Sequence, residues 1–403
     1  MIPRPYQLLG RDFLAARTRA LLADQMRVGK TPQAIMAADK LGAERVLVLC
    51  PAIAAYQWRE QWMEWSTRAP ARILGRDGHD YNSLKDVVIA SYNRVVQHKE
   101  ILAASPRWDV VIADEAHFAK SPDAQRAKLV YGKGGVGWNA TRIWALTGTP
   151  APNHAGELWT MLRAFGAVKC SYDDFVRHFC YYKEGRIFGN KKQHLAELRA
   201  LLAPFTLRRT LREVAPDMPA VSFNMLAIEP QGVDYRTDVI EDIDDEDRIA
   251  VALAKAVPLA TEIKECLDGQ DYKQTVAFGF HVAPLKRLVE LLTASGIDAS
   301  FIGGETPLPQ RENKLAAFKA GVCQVLVCQM IAAGTAIDLS AAQHGYLLEL
   351  DWNPAVNAQA AHRLVNMQTQ DPVTFDVLTM PGTMDDHVQR TLLRKVRGAV
   401  FKN

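Results

Sequence analysis

The chain has 403 residues, 48% hydrophobic and 23% charged, the composition of a globular protein of two or three domains. That excludes a disordered chain, a collagen-like repeat and a small disulfide scaffold; no run of 18 apolar residues offers a membrane span, and the opening MIPRPYQLLGRDF lacks the apolar core of a secretory signal. The net charge of +3 hides an asymmetry: residues 1–212 carry 32 Lys and Arg against 19 Asp and Glu (+13), and residues 213–403 carry 16 against 26 (−10). A basic half attracts a polyanion such as DNA, or the two halves attract each other.

Along the first 150 residues, short apolar runs alternate with amphipathic stretches. The runs predict strands at Ala20–Ala23, Arg45–Cys50, Asp86–Ser91, Asp109–Ala113 and Arg142–Leu146, with helices such as Thr31–Leu41 and Ala55–Ser66 between them. Residues 155–270 read as mostly helical, broken by Pro204, Pro216 and Pro219, and hold the acidic run Glu241–Asp247, a solvated loop or helix end. The alternation then returns, with strands at Gln274–Phe278, Ala299–Ile302, Gln324–Cys328, Gly345–Glu349 and Val373–Leu378 and helices at Ala283–Ser295, Gln310–Ala320 and Val356–Asn366. Strands alternating with helices predict an α/β fold of parallel sheets covered on both faces. The domains follow as 1–154, 155–270 and 271–403. The six cysteines, Cys50, Cys170, Cys180, Cys266, Cys323 and Cys328, form no CxxC pair and read as apolar side chains in a reducing compartment. Trp58, Trp62 and Trp65 read as a packed helix face.

Four stretches carry chemistry. Residues 23–31, ADQMRVGKT, follow an apolar strand and open a helix, where backbone N–H groups cradle phosphates, Lys30 reaches the β- and γ-phosphates and the Thr31 hydroxyl holds Mg²⁺. Asp24 stands where a phosphate loop has its first glycine, which leaves an ordinary helix start as the other reading. Asp109–His117, DVVIADEAH, ends an apolar run in two carboxylates: Asp114 suits Mg²⁺ and Glu115 suits orienting a water, or both simply open a helix. Leu146–Asn153, LTGTPAPN, is a turn in which Thr147 and Thr149 can hydrogen-bond back to the nucleotide site. Near the end, Gln359 and Arg363 share a helix face, which is either an arginine finger's mount or an exposed surface.

Together these pieces resemble helicase superfamily two, and within it the Swi/Snf-type DNA translocases, with features of the annealing-helicase-like branch. The resemblance covers some 360 residues in the family order. RPYQ at 4–7 is similar to its adenine-reading element and DQMRVGKT to its DEMGLGKT loop, which also has Asp in place of the first glycine. VLCPA at 48–52 with Trp58, SYN at 91–93, DEAH at 114–117, LTGTPAPN, and LRRT at 207–210 with Met218-Pro219 follow. AFGFH at 277–281, IGG at 302–304 with Arg311 and Phe318, AAG at 332–334, IDL at 337–339 and ELDWNP at 349–354 complete it.

The resemblance implies two RecA-like lobes with ATP in a cleft between them and helical protrusions supplied by residues 155–270. It implies ATP and Mg²⁺ as cofactors, with Tyr6, Gln7, Met26, Arg27, Val28, Gly29, Lys30, Thr31, Gly334, Asp338 and Arg363 on the nucleotide, and Thr31 and Asp114 on the metal. Catalysis would rest on Lys30, Asp114, Glu115 and Arg363; DNA contacts on Pro51, Ser91, Tyr92, Asn93 and Trp352. The implied protein is a DNA-dependent ATPase, a monomeric translocase on duplex or branched DNA, cytoplasmic in a bacterial or phage-infected cell, with no membrane partner; other proteins could supply its targeting.

Four positions depart from the family pattern. Gln25 and Arg27 replace Glu and Gly, and Ala336 replaces a glycine. Asn366 stands where a second arginine, the usual finger, follows Arg363 by three residues. Loss of such a finger commonly costs about 10³-fold or more in rate. The alternative is therefore a nucleotide-gated DNA-binding protein with weak or absent hydrolysis.

Overall fold

Strands buried on both faces must be apolar throughout, and the runs read from the sequence meet that demand. The computed structural model describes residues 2–26, 28–68, 71–75, 77, 87–99, 102, 107–184, 186–216, 221–229, 245–330, 337–365 and 371–397. The chain divides into two units, Met1–Pro216 with Gly398–Asn403 and Asp217–Arg397.

Unit 1 contains β1 (Arg19–Leu22), β2 (Val46–Cys50), β3 (Arg72–Ile73), β4 (Val87–Ser91), β5 (Val110–Asp114), β6 (Arg142–Leu146), β7 (Cys180–Lys183), β8 (Arg186–Asn190) and β9 (Thr206–Leu207). Seven of them form one sheet in the order β3-β4-β2-β5-β6-β1-β9, every pairing parallel. Helices α1 (Pro5–Ala15), α2 (Lys30–Lys40), α3 (Ala55–Trp65), α4 (Tyr92–Gln97) and α5 (Gln125–Tyr131) connect or cover its strands. Alternate residues of β2 serve opposite faces: Leu47 and Leu49 join one core, Val46, Val48 and Cys50 the other. Trp58 and Trp62 lie buried in the second core with Trp65 packed beside them, so the tryptophan trio is a packed helix face. The chain then adds α6 (Trp159–Ala164), α7 (Tyr172–Phe179), the β7-β8 hairpin, α8 (Leu195–Leu202) and α9 (Leu211–Val214).

Unit 2 contains β10 (Val221–Ala227), β11 (Thr275–Gly279), β12 (Ala299–Ile302), β13 (Val325–Gln329), β14 (His344–Leu347) and β15 (Val373–Thr379), a second all-parallel sheet in the order β10-β15-β14-β11-β13-β12. Its helices are α10 (Asp245–Asp268), α11 (Val282–Ala294), α12 (Leu308–Lys319), α13 (Pro354–Ala361) and α14 (Met384–Arg397). Asp245, Glu246 and Asp247, the end of the acidic run, form the first turn of α10, where carboxylates oppose the positive end of the helix dipole. Residues 241–244 of that run lie outside the described residues.

The ten predicted strands all form, most of them displaced by one or two residues. Residues 155–270 are less helical than the sequence pattern suggests, because they also supply β7, β8, β9 and β10. The helix expected over Val356–Asn366 ends at Ala361: Arg363 and Leu364 bond back to the carbonyls three residues before them, and Leu364 and Val365 turn into the core. Gln359 and Arg363 therefore do not share a helix face. Among the described residues, no helix is long and apolar enough to cross a membrane.

One buried ion pair ties α10 to α14. Lys255 is 1% exposed; its ammonium donates to the Leu378 carbonyl at 3.3 Å and to Asp385 Oδ2 at 2.9 Å. Removing one partner strands the other charge away from water, at a cost of about 3–5 kcal/mol, whereas an apolar residue of similar length replaces charge and need together. Asp385→Ala is expected to lower the urea midpoint of unit 2 strongly, and Lys255→Met with Asp385→Ala to recover most of that loss. Equal midpoints for the Asp385→Ala chain and the parent would refute the account.

Candidate functional site

The loop between β1 and α2 is built around a buried acid. Asp24 has 0% exposed surface. Its carboxylate takes a bidentate pair from Arg209, Nε to Oδ1 at 3.0 Å and Nη2 to Oδ2, and also accepts from Gln33 Nε2 at 3.3 Å. Arg209 further donates to the Tyr6 carbonyl and to Gln33 Oε1 at 2.7 Å. The LRRT segment reaches this place because it runs alongside β1: Leu21 N–H donates to Phe205 O, Ala23 N–H to Leu207 O and Gln25 N–H to Arg209 O, at 2.7–2.9 Å. Arg208 adds a bond to the Ala23 carbonyl at 3.1 Å. Gln25, at a position where the resembled family carries Glu, accepts from Leu211 N–H at 2.8 Å through its side-chain oxygen.

The loop closes on Gly29, the residue before α2, at φ 75°. A Cβ there would lie 2.7 Å from Gln7 Nε2, so both conformation and space favour glycine. Gln33 Nε2 also donates to the Val28 and Gly29 carbonyls. Val28 is buried and Met26 half-buried; Arg27 lies outside the described residues. Lys30 opens α2 and turns back over the loop, its ammonium donating to the Asp24 carbonyl at 2.9 Å and the Gln25 carbonyl at 3.3 Å. Thr31, half-buried, follows in the first turn. A positive-φ glycine, a helix start and a lysine poised over the loop have the donor set that phosphates require.

Two carboxylates stand at the end of β5. Asp114 Oδ2 accepts from Trp58 Nε1 at 2.8 Å and Oδ1 from Glu115 N–H at 3.0 Å. Withdrawal from water, and then the charge of Glu115, push the Asp114 carboxyl up to about 6, against the pull of the Trp58 hydrogen bond and of Lys30. Glu115 adopts the left-handed conformation, φ 47°, rare for a residue with a side chain. Thr147 Oγ1 lies 3.3 Å from Glu115 Oε2 and 3.1 Å from His117 Nδ1, and accepts from Thr149 N–H at 3.1 Å. The DEAH and LTGTP stretches thus meet through one hydroxyl. Asp114, at the tip of β5, and Thr31, in the first turn of α2, offer oxygens that could hold a divalent cation; elsewhere among the described residues of unit 1, the ligand atoms of His178, His194 and Glu197 lie within 4.8 Å of one another.

Of the residues read as DNA contacts, Pro51, Ser91 and Tyr92 are buried and Asn93 is exposed. Ser91 Oγ caps α4 by accepting from Arg94 N–H, and Tyr92 donates its hydroxyl to the Asp114 carbonyl at 2.7 Å. In unit 2, Trp352 packs against His387 and under Arg248, and Asp338 Oδ1 accepts from Ser340 N–H at 3.2 Å. Arg363 is half-buried beyond α13. Gly334, Ala336 and Asn366 lie outside the described residues. Arg209, Gln33 and the buried role of Asp24 were not read as site residues from sequence; the paired arginines of LRRT were the available signal.

These two sheets, with a phosphate-type loop after β1 and paired carboxylates after β5, define a RecA-like α/β protein of the helicase type. The SNF2-related domain model matches residues 6–237 and the helicase conserved C-terminal domain model matches residues 259–368. The chain belongs to the SNF2-related family. It is 26% identical, over 97% of its length and 54% of the relative's, to SWI/SNF-related matrix-associated actin-dependent regulator of chromatin subfamily A-like protein 1 of Drosophila melanogaster. It is 25% identical, over 98% and 40%, to DNA annealing helicase and endonuclease ZRANB3 of Bos taurus. The chain spans about half the length of the curated relatives it matches. Its fold is that of the Sulfolobus solfataricus SWI2/SNF2 ATPase core solved in complex with dsDNA, with a TM-score of 0.50 at 20% identity over 98% of this chain and 92% of that one.

The Asp24–Arg209 pair makes a direct prediction. Arg209→Ala leaves a carboxylate without exposed surface, facing only Gln33, and is expected to destabilise unit 1 by about 3–5 kcal/mol. Arg209→Lys keeps the charge but not the fork, and should fall between that variant and the parent. Urea unfolding of the three chains measures both; an unchanged midpoint in Arg209→Ala would contradict the assignment.

Proposed function

We propose that this protein is an ATP-dependent motor on double-stranded or branched DNA. The observation that carries the reading is that, inside one SNF2-related unit, Lys30 at the start of α2 acts electrostatically on Asp114, the first acid of the Asp114–Glu115 pair. In this reading Tyr6 and Gln7 border the base, the loop from Met26 to Thr31 wraps the phosphates, and Lys30 exchanges its two carbonyl partners for phosphate oxygens. Thr31 and Asp114 would hold Mg²⁺, which would supply positive charge to offset that of the phosphates. Glu115 orients the attacking water, and its bond to Thr147 holds it in its strained backbone conformation. Arg363, with Gly334 and Asp338, is assigned to the nucleotide from unit 2. Pro51, Ser91, Tyr92, Asn93 and Trp352 mark the stretches assigned to DNA, the buried ones acting by shaping backbone and loops. The protein is proposed to work as a monomer in the cytoplasm.

The departures at Arg27 and Asn366 favour a second reading, a nucleotide-gated DNA-binding protein with little turnover. ATP hydrolysis, measured without DNA and with single-stranded, duplex and forked DNA, separates the two. The motor reading expects stimulation by duplex or forked DNA, loss of activity in Lys30→Ala, and faster turnover in Asn366→Arg. Turnover in Asn366→Arg alone would favour the gated reading. With no turnover in either chain, the motor reading fails.

A pH profile tests the metal assignment. The Asp114 carboxyl titrates at about 6, above its ordinary value, so it is mainly charged at pH 7 and mainly protonated at pH 5. Protons and Mg²⁺ compete for the same oxygens. The affinity for Mg²⁺-nucleotide is expected to fall about tenfold from pH 7 to pH 5, and the inflection to move to lower pH as Mg²⁺ is raised. A profile independent of Mg²⁺ concentration would remove Asp114 from the metal.

A further inference from the structure

The β7-β8 hairpin belongs to neither large sheet and turns aromatic side chains to water. Tyr181 is 53% exposed, Tyr182 43% and Phe188 61%. Three large exposed aromatics on nine strand residues are unusual for a surface with no partner, since exposed apolar area of this kind marks binding sites. Their display follows from the strand pairing. Tyr181 stands opposite Gly189, which has no side chain to cover the ring. A bulge follows, in which Tyr182 pairs with Ile187 and Phe188 is the extra residue on its strand. Ile187 packs on the unit 1 core and anchors the face it shares with Tyr182, its strand partner, while Tyr181 points to the other face; all three aromatics keep 43–61% of their surface exposed.

The base of the hairpin is fixed. Phe179, just before β7, is buried and its carbonyl accepts from Lys191 N–H at 2.8 Å, just after β8. Asn190 Oδ1 accepts from Ala155 N–H at 2.6 Å. His178 Nε2 lies 2.8 Å from Glu197 Oε2, and His194 Nδ1 3.4 Å from the same oxygen, so one carboxylate on α8 braces both ends of the hairpin. The His178 bond holds the Glu197 carboxyl below its usual range.

On the same strands stand Lys183 and Arg186, with Lys192 just after β8, all exposed, against one acid on the hairpin, Glu184, which lies 3.5 Å from Lys183. Aromatic faces interleaved with cations fit a chain of bases and phosphates. Bases inside a duplex already stack on one another and must be unstacked before a protein ring can enter, whereas bases of an open strand are free to take a ring face. Resting on the reading of this protein as a DNA motor, we propose that the β7-β8 hairpin is a binding site for unpaired nucleotides, on which Tyr181, Tyr182 and Phe188 stack bases of a single strand or fork while Lys183, Arg186 and Lys192 meet its phosphates.

The test uses the full chain and the triple variant Tyr181→Ala, Tyr182→Ala, Phe188→Ala, with Lys183→Glu, Arg186→Glu as a second variant. Binding to fluorescent single-stranded, forked and blunt duplex oligonucleotides is measured without nucleotide at two salt concentrations, and circular dichroism checks the fold. The triple variant is expected to lose roughly tenfold or more in affinity for single-stranded and forked DNA, keep its blunt-duplex affinity within about twofold, and retain the salt dependence. The charge variant is expected to weaken binding and flatten the salt dependence. Unchanged affinity of the triple variant for single strands and forks overturns the proposal, as does an equal loss on blunt duplex. Loss of binding to anionic phospholipid vesicles, with DNA binding intact, overturns it in favour of a membrane surface. If the parent chain hydrolyses no ATP but the selective loss on open DNA is seen, the motor reading falls and the hairpin assignment stands; if the parent binds no DNA of any form, both fall.

Discussion

The carboxylate of Asp24 sits with no surface in contact with water, at the one point of unit 1 where the first strand, the loop after it, α1, α2 and the LRRT segment come together. A charge in such a place is costly unless every lone pair is met. Arg209 meets two with a planar fork and Gln33 adds a third bond, while the same guanidinium reaches the Tyr6 carbonyl. The loop backbone is therefore fixed from beneath. Asp24, where a phosphate-binding pattern has its first glycine, supplies a fixed anchor, and among the described residues of the loop Gly29 takes the left-handed conformation. The pair also joins positions 185 residues apart in sequence, so the LRRT segment is part of the support of the β1–α2 loop.

The second constraint is at β5. Two adjacent acids raise each other's pKa, and the charge of Glu115 does so at Asp114 even with the Glu115 backbone turned to φ 47°. Asp114 stays on the strand tip, held by Trp58 and Glu115 N–H, while Glu115 turns toward Thr147 and His117. Tyr92 supports the same strand tip from the neighbouring element through the Asp114 carbonyl. Ser91 and Tyr92 act on backbone geometry, and a motif alone does not distinguish that role from direct contact.

What was legible in the sequence follows from burial. Central strands such as Val46–Cys50 and Val110–Ala113 are apolar at every position because helices cover both faces, so their runs stand out. β9 has only two residues, and β10 is an edge strand whose Ser222, Phe223, Asn224 and Met225 are exposed, so neither offers a run or a clean alternation. The hairpin escaped notice for the opposite reason: its aromatics face water and carry no periodic pattern of burial. Lys30, Asp114 and Glu115 stood out because a lysine opening a helix after an apolar strand, and paired acids closing one, are local patterns. Arg209 was not, because its partner lies 185 positions away and pairing across that distance leaves no local trace. The end of α13 was misplaced because helical spacing continues through Leu364 and Val365, while their burial in the core requires a turn.

The two arginine-rich and aromatic surfaces of unit 1 can now be told apart by where their polar groups go. In LRRT both arginines turn inward, one onto Ala23 and Gly148 carbonyls, the other onto Asp24, and their charges serve the scaffold. The excess of positive charge in the first half is thus smaller at the surface than the count implies. In the hairpin the order is reversed: the polar groups near the base, His178, His194, Glu197 and Asn190, are engaged with one another or with the backbone, while the ring faces and the cations of the strands stay outside. Aromatic rings left in water carry an unfavourable hydration cost that the fold itself does not offset. A partner with flat apolar faces and negative charge offsets it, and open DNA has both.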